Sequence, residues 1–198
     1  MITDWALGEE RLLGVLGRLC ALGPRLAVQH RHPGASTRTF LAQARALAAL
    51  CGRRANPLFV NGRLDVALLV GAHLHLPVDA PTPAQVRPHL PKDRWVSASV
   101  HGPAELERAQ GADLVLLSPV FVPGSQQADA RPTLGPGGYA RLRALAGCPA
   151  LALGGMTVGR LGTLGAVDGV AVQSAVLRVE DPRAVAAAFL EALPRPGR

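Results

Sequence analysis

The sequence predicts an α/β fold, a (β/α)8 TIM barrel formed as a single domain over residues 1–198. Short apolar runs alternate with amphipathic stretches from one end of the chain to the other. The runs are continuous rather than alternating in polarity, as strands buried on both faces require. Strict alternation of eight such pairs favours a closed barrel over an open sheet.

The elements follow in order. Met1 to Asp4 reads as the tail of a clipped first strand. A helical stripe of Leu12, Leu13, Val15, Leu16, Leu19 and Leu22 marks a helix over 8–22, which Gly23-Pro24 stops. Strands are expected over 25–31, 58–61, 73–76, 95–100, 113–117, 150–153 and 169–172. Between them lie helices over 36–51, 64–70, 82–90, 102–110, 139–145 and 157–164, and a closing helix over 181–193. Ser36 or Thr37 serves as one N-cap and Asp181 as another, with Pro182 at the first helical position. A long loop, 118–138, separates the sixth strand from its helix.

A composition of 48% hydrophobic and 18% charged residues excludes a disordered chain. The formal charge is +7, nearly all from arginine, with Lys92 the single lysine. No basic run is interleaved with aromatics, so the charge points to a phosphorylated small molecule rather than nucleic acid. Cys20, Cys51 and Cys148 lack metal-ligand spacing and read as reduced thiols in apolar surroundings. With no signal peptide and no apolar run of membrane-spanning length, a cytoplasmic protein without membrane partners is expected.

In a barrel the site is built from the loops after the strands. Gly154-Gly155 and Gln173-Ser174 close the last two strands and are expected to cradle a phosphate. Glycine admits a close backbone approach, and amides at a helix start favour an anion. Gln29 and Arg31 share one strand face, and Asp65 is the carboxylate that Arg31 would pair with if it does not hold a ligand. His75 and His101 fall at strand ends and, with His30, are the candidates for proton transfer. The pairs His30/His32 and His73/His75 have no acidic or thiol neighbour to complete a metal shell, so no metal site is expected.

Six stretches occur in a telling order: Val60-Asn61-Gly62-Arg63-Leu64-Asp65-Val66-Ala67-Leu68, His75-Leu76-Pro77, Ser99-Val100-His101, Leu117-Ser118-Pro119-Val120-Phe121, Leu153-Gly154-Gly155-Met156-Thr157 and Asp168-Gly169-Val170-Ala171-Val172. Together they resemble the thiamine phosphate synthase/TenI family of (β/α)8 barrels. The resemblance implies substrate contacts from Gln29, Arg31, Asn61 and Arg63, and phosphate contacts from Gly154, Gly155, Gln173 and Ser174.

Two activities belong to that family. The synthases join a pyrimidine diphosphate to a thiazole phosphate and release pyrophosphate, with magnesium. TenI-type members tautomerise a thiazole carboxylate phosphate without metal. This sequence departs from the synthase pattern at its cationic and metal points. The N-D-R aspartate is Gly62, the Q-x-R-x-K lysine is Pro33, and the G-Q-D-D segment shortens to Pro77-Val78-Asp79. The T-x-T-K loop becomes Gly124-Ser125-Gln126-Gln127, with Arg131 as a partial substitute. Pro119 stands where TenI-type proteins place a histidine. The expectation is therefore an enzyme of the TenI branch, a tautomerase binding a phosphorylated thiazole or thiamine phosphate without cofactor. Thiamine phosphate synthase, with Mg, and a non-catalytic regulator are the alternatives. A homo-oligomer is left open.

Overall fold

The computed structural model describes residues 1–122 and 132–194. Among these residues seven parallel strands form one curled sheet in sequence order, with helices between them, a TIM-barrel-like α/β fold. The strands are β1 (Val28–His30), β2 (Leu58–Asn61), β3 (His73–Leu76), β4 (Val96–Val100), β5 (Leu114–Leu117), β6 (Ala150–Leu153) and β7 (Gly169–Ala171). The expected first strand is reduced to a single parallel bridge, Ile2 to Gln29. It still joins the two edges. Ile2 N–H donates to Val172 O at 2.9 Å, Gln29 N–H to Met1 O at 2.8 Å, and Thr3 N–H to Gln29 O at 3.0 Å.

The helices are α1 (Glu9–Cys20), α2 (Thr37–Gly52), α3 (Leu64–Val70), α4 (Pro83–Val86), α5 (Pro103–Arg108), α6 (Gly135–Leu145), α7 (Val158–Leu161), α8 (Ser174–Leu177) and α9 (Pro182–Ala192). Ser36 caps α2 by accepting from Thr39 N–H, and Asp181 caps α9 by accepting from the amides of 183 and 184. The helix expected over 82–90 is one turn of α4 followed by a 3-10 turn, Arg87–His89. Pro88 cannot donate to the helical ladder, so the α-helix ends before it. Helix α6 starts earlier than expected because Pro136 suits its first turn. No helix among the described residues is long and apolar enough to cross a membrane.

Side chains alternate along each strand, and this separates two apolar layers. Val28, Val60, Leu74, Val96, Leu117 and Ala150 face outwards, against Leu12, Leu16, Leu47, Tyr139 and Phe189 of the helices. Ile2, Leu116 and Ala171 face inwards, backed by Leu114, Leu151 and Leu153. The floor of the barrel holds an apolar cavity of about 300 Å³, lined among others by Ile2, Phe59, Ser97, Leu116 and Leu151. It lies beside the starts of β5 and β7, the opposite end from the rim where the candidate site forms.

Tyr139 illustrates how the outer layer is held in register. Its ring is fully buried, and its hydroxyl donates to Ala150 O at 2.8 Å. Tyr139→Phe removes the donor from that carbonyl with little change in the packed volume, so a loss of about 1–2 kcal/mol is expected in urea unfolding. A loss within error would show that the carbonyl finds another donor.

Candidate functional site

The strand ends place polar side chains on the inner face of the first half of the barrel. Asn61 pairs in register with His75, and His75 with Ser97, so three adjacent strands present polar groups side by side. Gln29 is 8% exposed and Arg31, two residues on, shares its face at the open rim. Ser99 follows Ser97 on that face of β4.

His75 is the centre of this arc. It is 2% exposed, with Nδ1 2.8 Å from Ser97 Oγ and Nε2 2.9 Å from Ser99 Oγ. Burial first, and the nearby Arg31 cation second, push its pKa down to about 3. A ring that stays neutral so far below its usual range is a poor proton acceptor at neutral pH. Its geometry suits hydrogen bonding.

His101 follows β4. Its Nδ1 lies 2.5 Å from Ser118 O, so that nitrogen is the donor, because a carbonyl only accepts. Nε2 then carries the lone pair in the neutral ring. The backbone N–H of His101 donates to Glu105.

His30 does not join the arc. It faces the helix layer, fully buried, stacked on Phe40 with ring centroids 3.9 Å apart. Nε2 donates to Phe40 O at 3.1 Å and Nδ1 accepts from the Trp5 indole at 3.3 Å. Burial lowers its pKa to about 4. The expectation of a catalytic His30 is corrected on this ground: alternation along β1 turns it away from the side that carries Gln29 and Arg31.

Of the two roles open to Arg31, a ligand contact or a pairing with Asp65, the structure does not form the pairing. Asp65 is gripped by Arg63 in a two-pronged contact, Nε to Oδ1 at 2.9 Å and Nη2 to Oδ2 at 2.6 Å. That contact holds the Asp65 carboxyl below its usual range. Arg63 also lies over the Phe40 ring, 5.8 Å from its centroid. Arg31 is instead positioned through its backbone. Thr3 Oγ1 accepts from Arg31 N–H at 2.9 Å and donates to Arg31 O at 3.0 Å, while the side chain is exposed.

On the other half of the rim the turn after β6 carries Gly154 and Gly155 with φ of +96° and +58°. It packs directly on the segment after β5. Val120 N–H donates to Leu153 O and Phe121 N–H to Gly154 O. Arg160 bonds Gly155 O and lies 4.8 Å over the Phe121 ring. Gln173 spends its amide nitrogen on Thr3 O at 2.8 Å, helping to join the sheet edges, and Ser174 opens α8. The loop residues 124–127 and Arg131 lie outside the described residues.

The alternative that uses magnesium needs carboxylates. Position 62 is glycine, both oxygens of Asp65 are engaged by Arg63, and Asp79 is exposed on the turn after β3. Among the described residues no three His, Cys, Asp or Glu side chains converge. The described residues do not fit a divalent-ion site of the synthase kind.

Three contributors were missed. Ser97 and Ser99 flank His75, and their signal was an i, i+2 pair of hydroxyls on the strand beside it. Thr3 clamps Arg31 and receives Gln173, which no local pattern announces.

The sequence model of the family described as thiamine monophosphate synthase matches residues 1–176. The thiamine-phosphate synthase of Methanoculleus marisnigri is 35% identical over 191 residues, covering 94% of this chain and 90% of that protein. That of Xanthobacter autotrophicus is 34% identical over 202 residues, covering 97% and 95%. The thiamine phosphate pyrophosphorylase structure from Pyrococcus furiosus superposes with a TM-score of 0.82 at 28% identity, over 96% of this chain and 92% of that one.

Proposed function

The chain belongs to the thiamine monophosphate synthase family, and from that premise we propose that it is a transferase of thiamine biosynthesis. It would join a pyrimidine diphosphate to a thiazole phosphate. The carbon–oxygen bond to the diphosphate breaks, a bond to the thiazole forms, and pyrophosphate leaves. The sequence alone leaned to the tautomerase branch. Relatives named as synthases along nearly the whole chain reverse that order.

The observation that carries the proposal is the polar arc of Gln29, Arg31, Asn61, His75 and Ser99, set in a chain with those relatives. In this reading Gln29, Asn61 and Ser99 orient the pyrimidine, and Arg31 and Arg63 answer the diphosphate charge. Backbone amides around Gly154, Gly155, Gln173 and Ser174 hold the thiazole's phosphate. No step is routed through a metal, because the described side chains do not fit one.

The test is to incubate the purified protein with both precursors and follow thiamine phosphate and pyrophosphate, with magnesium and with chelator. Product in stoichiometric amounts is expected, with a loss of about a hundredfold in Arg31→Ala. A second reading, isomerisation of a thiazole carboxylate phosphate, is favoured by the same lack of a carboxylate cluster among the described residues and by Nε2 of His101, which meets no hydrogen-bond partner among them. Absence of pyrophosphate under every condition, together with a spectral change of the carboxylate substrate, would establish that reading instead.

A further inference from the structure

Ser97 is 1% exposed and sits beside His75 in register, yet the reading above gives it no task. One neutral imidazole and two hydroxyls share two hydrogen bonds here, and two proton arrangements are open. With the proton on Nδ1, His75 donates to Ser97, and Ser99 donates to Nε2. With the proton on Nε2, Ser97 donates to Nδ1, and Ser99 accepts and keeps its own proton for the rim.

Ser97 breaks the tie. Its hydroxyl has a second acceptor within reach, the Leu74 carbonyl at 3.4 Å. That contact is long and weak. Only the Nδ1–H arrangement uses it, because in the other the Ser97 proton is already committed to His75. In a buried site a weak bond decides between two arrangements that are otherwise equally satisfied.

We propose that Ser97 is a positioning residue that holds His75 as its Nδ1–H tautomer, so that Ser99 donates inwards and offers only lone pairs to a ligand. The depressed pKa of His75 agrees, since it keeps the ring neutral and the pattern intact at working pH. The polarity at Ser99 then selects a ligand carrying an N–H donor at that point, such as an amino-substituted pyrimidine, over the same ring with a carbonyl there. This last step rests on the transferase reading; the tautomer does not.

The test begins without ligand. In protein labelled with 15N-histidine, long-range proton–nitrogen correlation spectra show which nitrogen of His75 bears hydrogen, the signal being assigned from a His75→Asn variant. Nδ1–H is expected in the native protein and Nε2–H in Ser97→Ala. Ser97→Thr keeps the hydroxyl, and its methyl has the floor cavity that Ser97 lines to enter, so Nδ1–H should return. Calorimetry then compares an aminopyrimidine with the corresponding pyrimidinone. The native protein should prefer the amine about tenfold, and Ser97→Ala should lose that preference. Nε2–H in the native protein, or an unchanged tautomer in folded Ser97→Ala, overturns the proposal. A failed transferase reading would abolish the analogue preference and leave the tautomer result standing.

Discussion

Acidification from pH 7 to pH 5 is expected to remove about 4 kcal/mol of stability, most of it through two buried histidines. His75 and His30 have folded pKa values of about 3 and about 4, against 6.5 in an unfolded chain. Between those limits the unfolded state binds protons that the folded state refuses. Stability therefore rises with pH across this window and is lost as pH falls below about 6.5. At pH 5 both rings are still neutral in the fold, so the loss depends on the unfolded value alone, about 2 kcal/mol for each. His73, also lowered by burial, adds in the same direction. The carboxyls of Asp65 and Asp168 are held low and act in a different window, their contribution failing only as pH falls further. Urea midpoints at pH 7 and pH 5 check this. A flat midpoint, or one whose pH dependence survives in the His30→Gln/His75→Gln double variant, would refute it.

Those two histidines also show what was legible in the sequence. The strands were, because a strand buried on both faces has to be a short apolar run, and β2 and β3 fall where expected. Side-chain direction was legible too, since alternation puts Gln29 with Arg31. The same alternation turns His30 outwards, and naming it as catalytic overlooked that consequence. Partners in space were not legible. Asp65 lies nearer to Arg63 in the chain than to Arg31, and a bidentate contact two residues away prevails over one that must cross strands. Thr3 contributes because the N-terminal segment bridges the two sheet edges, a non-local event without a local signature. The branch of the family was judged from a few departed motif positions, while similarity along nearly the whole chain points the other way.

Gly155→Ala is expected to cost about 3 kcal/mol in unfolding and to weaken binding of thiazole phosphate about a hundredfold. At φ of +58° any side chain begins with a backbone penalty of about 1–2 kcal/mol. Space makes it worse, because a β-carbon there would overlap the Val122 carbonyl oxygen and lie 2.9 Å from Phe121 Cβ. The turn has no easy way to yield. Phe121 is tied to Gly154 O through its amide, and Arg160 spans the Phe121 ring and Gly155 O, so relief at one point displaces the whole rim segment. The amides of Gly154 and Gly155, two of those proposed to meet the phosphate, belong to that segment, which is why stability and affinity should fall together. Gly159 in α7 supplies the contrast. It has ordinary backbone angles, and a β-carbon there meets nothing within 4 Å. Gly159→Ala should therefore leave affinity alone and match or exceed native stability by up to about 1 kcal/mol. If Gly155→Ala binds thiazole phosphate as tightly as the native protein, the phosphate does not rest on this turn, whatever happens to the melting temperature.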